Sequence, residues 1–197
     1  MDTTANNPCV VCGTGMKQPG KLDTDNLTWY FPCPNCGDYI VESGPYITLK
    51  DDDHSQRERA ILAHEIWKMH KNEKVPKLDK RRFDNIRENC TLPSPAEQAD
   101  NLILWLGDEL MEQGHGKYIE LNSYVLRGRI GAQDNQGSYF IIKSVQEKGL
   151  LDVEVPRQIG MRTFNSNKYR LSFSGWERYE ELKRSTKDSR LAFMAMT

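Results

Sequence analysis

Cys9-Val10-Val11-Cys12-Gly13 and Cys33-Pro34-Asn35-Cys36-Gly37 decide the reading of this chain. Two CxxC pairs of this form bring four thiolates around one tetrahedral zinc ion. Gly13 and Gly37 let the chain turn tightly after the second ligand of each pair, and Pro34 constrains the second knuckle. The competing readings are disulfides of a secreted protein or a thioredoxin-like redox pair. The N-terminus Met1-Asp2-Thr3-Thr4-Ala5-Asn6-Asn7 has neither the basic nor the apolar region of a secretion signal, and no βαβ pattern surrounds either pair. Four thiolates also close the coordination sphere, whereas a catalytic zinc keeps a position for water. Cys9, Cys12, Cys33 and Cys36 are therefore expected to hold a structural Zn2+.

Outward from the knuckles, Trp29, Tyr30 and Phe31 precede the second pair, and Tyr39 and Ile40 follow it. A segment this short cannot bury a core of its own, so these side chains are expected to pack across a small metal-nucleated ribbon. A base-stacking surface would need positive charge beside the rings, and Asp23, Asp25, Asp38 and Glu42 carry the opposite sign. Strand-like Ile47-Thr48-Leu49 and the solvated Asp51-Asp52-Asp53 run mark the end of a first domain at residues 1–50.

Residues 51–118 read as a helical linker domain. Ile61, Leu62, Ile66 and Met69 recur at helical spacing over 54–71. His64 and His70 are six apart, too far for the one-turn pairing of a zinc protease motif, and read as ordinary histidines. A second helix sets the basic side chains Lys80, Arg81, Arg82 and Arg87 against packing residues Phe83, Ile86 and Cys90, the last read as a buried helix thiol. Ser94 with Glu97 three residues on is a capping box, opening a longer helix whose buried stripe is Leu102, Ile103, Leu106 and Leu110. Trp105 reads as core, and Gly114 and Gly116 stop the helix.

Residues 119–187 have the order of a winged helix-turn-helix. A short helix over Val125–Ile130 is followed by the turn 131–137, a helix from Ser138, and two strands, Leu150–Val155 and Lys168–Phe173, flanking a basic loop. Ser174 is expected to cap a closing helix with Trp176, Tyr179 and Leu182 on one face. In that arrangement Gln133, Asn135, Gln136, Ser138 and Tyr139 lie near the leading end of the groove-reading helix, with Lys143, Arg157, Arg162 and Lys168 placed for phosphates. Arg127 and Arg129 add positive charge on the preceding helix. The fold class is thus α+β, a small zinc ribbon joined to a mainly helical domain with a C-terminal winged helix. Its expected partner is double-stranded DNA. The alternative is a non-catalytic protein adaptor, since winged helices also serve as docks and the basic array is sparse.

A formal net charge of −1 hides an asymmetry. Residues 1–120 carry 14 Lys/Arg against 20 Asp/Glu, whereas residues 121–197 carry 13 against 8, so a polyanion should meet the second part. No apolar run reaches membrane-spanning length, and a cytoplasmic protein is expected. No phosphate-binding glycine loop and no serine–histidine–aspartate order with its turn chemistry is present. Glu65, Asp108, Glu109 and Glu112 read as a solvated helix face rather than paired acid and base, so no enzymatic activity is expected.

The knuckle Phe31-Pro32-Cys33-Pro34-Asn35-Cys36-Gly37-Asp38-Tyr39, the turn Val145-Gln146-Glu147-Lys148-Gly149-Leu150-Leu151, and the junction Leu171–Arg184 followed by Ser189–Met196 carry a resemblance. Together they resemble the amino-terminal region of bacterial multidomain proteins of the nucleoside 2-deoxyribosyltransferase-like or TIR-like type. The resemblance implies that Ala192–Met196 is where the first strand of a nucleotide-processing α/β domain would begin. It further implies that residues 188–197 are a truncated junction, and that the chain is a detached sensor or adaptor controlling a nucleotide-processing partner enzyme in bacterial defence. It transfers no N-glycosidase chemistry to these residues.

Overall fold

In a computed structural model the described residues are 7–51, 54–154, 158–159, 162–163 and 167–194, with side chains omitted for 158–159, 162–163 and 186–194. The elements run β1 (Lys21–Asp23), β2 (Thr28–Cys33), β3 (Gly37–Glu42), α1 (Ser43–Asp51), α2 (Gln56–Met69), β4 (Lys77–Leu78), α3 (Lys80–Asn89) and α4 (Pro95–Gln113). They continue β5 (Ile119–Glu120), α5 (Ser123–Ile130), α6 (Asn135–Glu147), β6 (Leu151–Val153), β7 (Gln158–Ile159), β8 (Arg162–Thr163), β9 (Lys168–Leu171) and α7 (Phe173–Met194). The protein is a mixed α+β chain with a cysteine-rich sheet at its N-terminal end and mainly helices toward its C-terminal end. It divides into two compact units: Met1–Pro93 with Ser123–Ser138, and Ser94–Asn122 with Tyr139–Thr197. Neither unit is contiguous in sequence.

In the first unit, β1, β2 and β3 form an antiparallel meander, and β4 adds to β3 in parallel. The register opposes Phe31 to Tyr39 and Tyr30 to Ile40, the pairing expected of a ribbon around the second knuckle. Phe31 and Tyr39 are buried and stack at 5.4 Å between centroids. Trp29 stacks at 4.4 Å on Tyr46 of α1, so the rings pack rather than form a free base-stacking face. Helix α1 occupies the stretch read as a strand around Ile47–Leu49. Pro45 fits the first turn of a helix, where no intrahelical N–H bond is lost, and Leu49 is buried one turn on. Helix α2 starts at a complete Ser55–Glu58 capping box and buries Leu62, Ala63, His64 and Ile66.

Asp79 caps α3 by accepting from the Arg82 amide, and Phe83 and Ile86 are buried as expected. Its basic face is partly neutralised, with Arg82 held bidentately by Glu73 and Lys80 paired to Asp84. Cys90 follows the helix as an extended C-cap and is half-buried, which corrects its reading as a buried helix thiol; desolvation pushes its pKa up.

In the second unit, α4 begins at the expected Ser94–Glu97 capping box and buries Leu102, Ile103, Leu106 and Leu110. Its partner is α7. Tyr179 donates its hydroxyl to Asp108 at 2.6 Å, and Arg178 grips both oxygens of Asp100 at 2.9 Å. Gly107 lets the two helices close, because a Cβ there would run into the Tyr179 ring. Ser172, not Ser174, caps α7: its Oγ accepts from the Gly175 amide at 3.1 Å. Strands β5 and β6 flank β9, giving a three-stranded antiparallel sheet of order β5-β9-β6, and β7 pairs with β8 as a hairpin. Ala192–Met194 continue α7, so they are helical where the resemblance implied an entering strand; residues 195–197 lie outside the described set.

Candidate metal centre

Cys9, Cys12, Cys33 and Cys36 are all free thiols, and their four sulfurs lie within 4.8 Å of one another. Two of the separations are 3.9 Å for Cys9 to Cys36 and 3.5 Å for Cys12 to Cys33. A regular tetrahedron with metal–sulfur bonds of about 2.3 Å has sulfur–sulfur edges of about 3.8 Å, so the cluster fits a single ion. A disulfide would need sulfurs about 2 Å apart. Local geometry explains how the ligands converge. Pro8 bridges to Gly15 and Cys9 donates its N–H to Thr14, folding the first knuckle, while Gly13 and Gly37 adopt φ of +70° and +78° as turn residues. The second knuckle is the hairpin between β2 and β3, opened by Cys33 opposite Gly37.

Each of three sulfurs has a hydrogen-bonding neighbour. The Cys36 amide donates to Cys33 Sγ at 3.3 Å. The hydroxyl of Tyr39 lies 3.2 Å from Cys9 Sγ, and that of Thr14 lies 3.2 Å from Cys12 Sγ. Such contacts orient ligands and stabilise their thiolate form. Without an ion, four thiols this close cannot all ionise. Hydrogen bonding from Cys33, then from Cys36 and Cys9, lowers the pKa of Cys12, whereas burial raises that of Cys36. Three ligands are fully buried and Cys12 is half-buried. A cleft of about 40 Å³ beside Cys12 is lined by Asn35, Arg59, Ala63, Arg127 and Gln133.

The remaining residues expected at a site are divided between the two units. Gln133 sits at this cleft, exposed in the turn before α6. Asn135 and Gln136 form the first turn of α6, where Asp134 caps the helix by accepting from the Gly137 amide at 2.7 Å. Ser138 is a correction: it is fully buried and its hydroxyl donates to the Asp134 carbonyl at 3.2 Å, so it cannot reach a base edge. These four belong to the first unit. In the second, Tyr139 and Lys143 are exposed on α6, Lys143 near Glu147 at 3.9 Å, and Lys168 on β9 lies 3.7 Å from Glu154. Arg157 lies outside the described residues, and Arg162 opens β8 with its side chain undescribed.

Arg127 and Arg129 do not serve as free phosphate contacts. Arg127 donates to Thr14 at 3.0 Å, and Arg129 lies over the Trp67 ring at 4.8 Å. Sequence reasoning missed Thr14, Tyr39, Asn35, Arg59 and Arg127 as neighbours of the cysteine cluster. Asn35, between the ligands, had a positional signal; Arg127, far along the chain, had none. Compared with known proteins, the chain matches no family model, no curated protein and no solved structure.

Proposed function

We propose that this protein is a zinc-stabilised, non-catalytic nucleic-acid-recognition module that contacts double-stranded DNA through a winged helix. The zinc part is supported by the four-thiolate cluster, which suits a closed structural site. The observation that carries the DNA part is topological. Helices α5 and α6 fall in sequence between β5 and β6, the hairpin β7–β8 falls between β6 and β9, and the sheet order is β5-β9-β6. That order supports reading these elements as a winged helix-turn-helix, in which α6 would be the groove reader and β7–β8 the wing. Gln136, Tyr139 and Lys143 on α6, with Gln133 before it, then contact bases and backbone, and Arg157, Arg162 and Lys168 contact phosphates.

A second reading, protein adaptor, is favoured by exposed aromatics in the second unit: Tyr139 and Phe140 on α6 are 61% and 60% exposed and Phe173 is 81% exposed. Its partner, on the resemblance noted above, is a nucleotide-processing enzyme. Fluorescence anisotropy with random double-stranded and single-stranded DNA and RNA across a salt series separates the two. Saturable duplex binding near physiological salt, lost on changing Arg157, Arg162 and Lys168 together, supports DNA recognition. Absence of binding to every polymer moves the function to the adaptor.

A further inference from the structure

We propose that Thr14 and Arg127 are outer-sphere residues of the metal centre, and that through them metal binding and the docking of α5 strengthen each other. This rests on the metal-binding reading of the cysteine cluster. The two knuckles converge on two consecutive residues of α5. From the first knuckle, Thr14 accepts from Arg127 Nη2 at 3.0 Å and lies 3.2 Å from Cys12 Sγ. From the second, Asn35, between ligands Cys33 and Cys36, accepts the Gly128 amide on its Oδ1 at 2.8 Å. Gly128 is also held from α2, its carbonyl 2.8 Å from His64 Nδ1. A Cβ at position 128 would run into the Asn35 carbonyl, so α5 lies directly on the second knuckle.

The Thr14 hydroxyl is where Cys12 and Arg127 meet. A hydroxyl carries one donor and two acceptor sites. Thr14 Oγ1 accepts from the Arg127 guanidinium and from the Cys12 thiol; a thiolate at Cys12 has no proton to give and takes the hydroxyl's proton instead. The charge argument agrees. A divalent ion with four thiolates is a dianion, and two guanidiniums flank it: Arg59 donates to the Val10 and Val11 carbonyls at 3.2 Å within the first knuckle, and Arg127 acts through Thr14. Neither is ion-paired to a carboxylate among the described residues. Because coupling free energies are reciprocal, whatever α5 contributes to metal affinity, the metal returns to the docking of α5.

The test is zinc affinity of the full chain, by competition with a chromophoric chelator, together with amide exchange at Gly128 with and without zinc. Thr14→Val and Arg127→Gln should each weaken zinc by about 10- to 100-fold, the size of known outer-sphere effects. Thr14→Ser, which keeps the hydroxyl, should restore wild-type affinity, and Arg81→Gln on the exposed face of α3 should leave it unchanged. Removing zinc from the wild type should speed exchange at Gly128. Should Arg127→Gln fail to fold, the near-isosteric Thr14→Val decides. Wild-type affinity in Thr14→Val, or Gly128 exchange indifferent to zinc, overturns the proposal. A wild-type chain that takes up no zinc instead overturns the metal-binding reading itself.

Discussion

The phenol of Tyr39 places its oxygen 3.2 Å from Cys9 Sγ, with the whole side chain sealed from solvent. Burial first, and then the negative charge of Cys9, raises its pKa, so the ring stays protonated and available as a donor to sulfur. Tyr39→Phe keeps the stack on Phe31 and removes only the hydroxyl. The expected outcome is a folded protein whose zinc affinity, measured by chelator competition, falls by about 10- to 100-fold. An unchanged affinity would show that the hydroxyl does not support the ligand.

Gly128→Ala introduces a methyl group where the Asn35 carbonyl already stands. Backbone cannot swing aside as a flexible side chain can, so the knuckle or the helix has to shift. A loss of about 1–3 kcal/mol in denaturant unfolding is expected, against the gain that alanine brings elsewhere in helices. Stabilisation by alanine would mean that α5 does not rest on the knuckle.

Gly107→Ala applies the same reasoning to the second unit, where the obstruction is the Tyr179 ring. A loss of about 1–3 kcal/mol is expected. Tyr179→Phe, removing only the 2.6 Å bond to the half-exposed Asp108, is expected to cost about 1 kcal/mol. Equal stability of the alanine variant and the wild type would contradict the α4–α7 packing.

Burial lowers the pKa of His64, and the bond to the Gly128 carbonyl and the Glu65 carboxylate only partly oppose this; Lys68 and Lys71 add to the lowering. The folded state therefore holds the ring neutral, while the unfolded chain takes up its proton near pH 6.5. This stabilisation is present above about pH 6.5 and is lost as pH falls below it. His64→Gln keeps an amide donor and cannot titrate. Between about pH 7.5 and 5.5 the zinc-loaded wild type should lose more stability than this variant. Parallel profiles would remove His64 from the pH response.

Features written in local spacing were legible in the sequence. The four ligands, the Ser94–Glu97 cap and the stripe from Leu102 to Leu110 all follow from neighbours a few residues apart. Ile47–Leu49 misled because three residues of strand propensity sit in a helix whose Pro45 is harmless in its first turn, and burial of Leu49 decides the conformation. Ser138 misled because helix phase, not residue type, determines which side of α6 faces solvent. The grip of the knuckles on Arg127 and Gly128 spans 113 and 93 residues, a separation over which no spacing rule operates.

Zinc content of the natively purified chain, measured by elemental analysis beside variants with serine at Cys9, Cys12, Cys33 or Cys36, tests the account most directly. About one zinc per chain, with the serine variants losing both metal and cooperative folding, is the expected result. Less than about half an equivalent in the wild type, with folding unchanged in the variants, would contradict it.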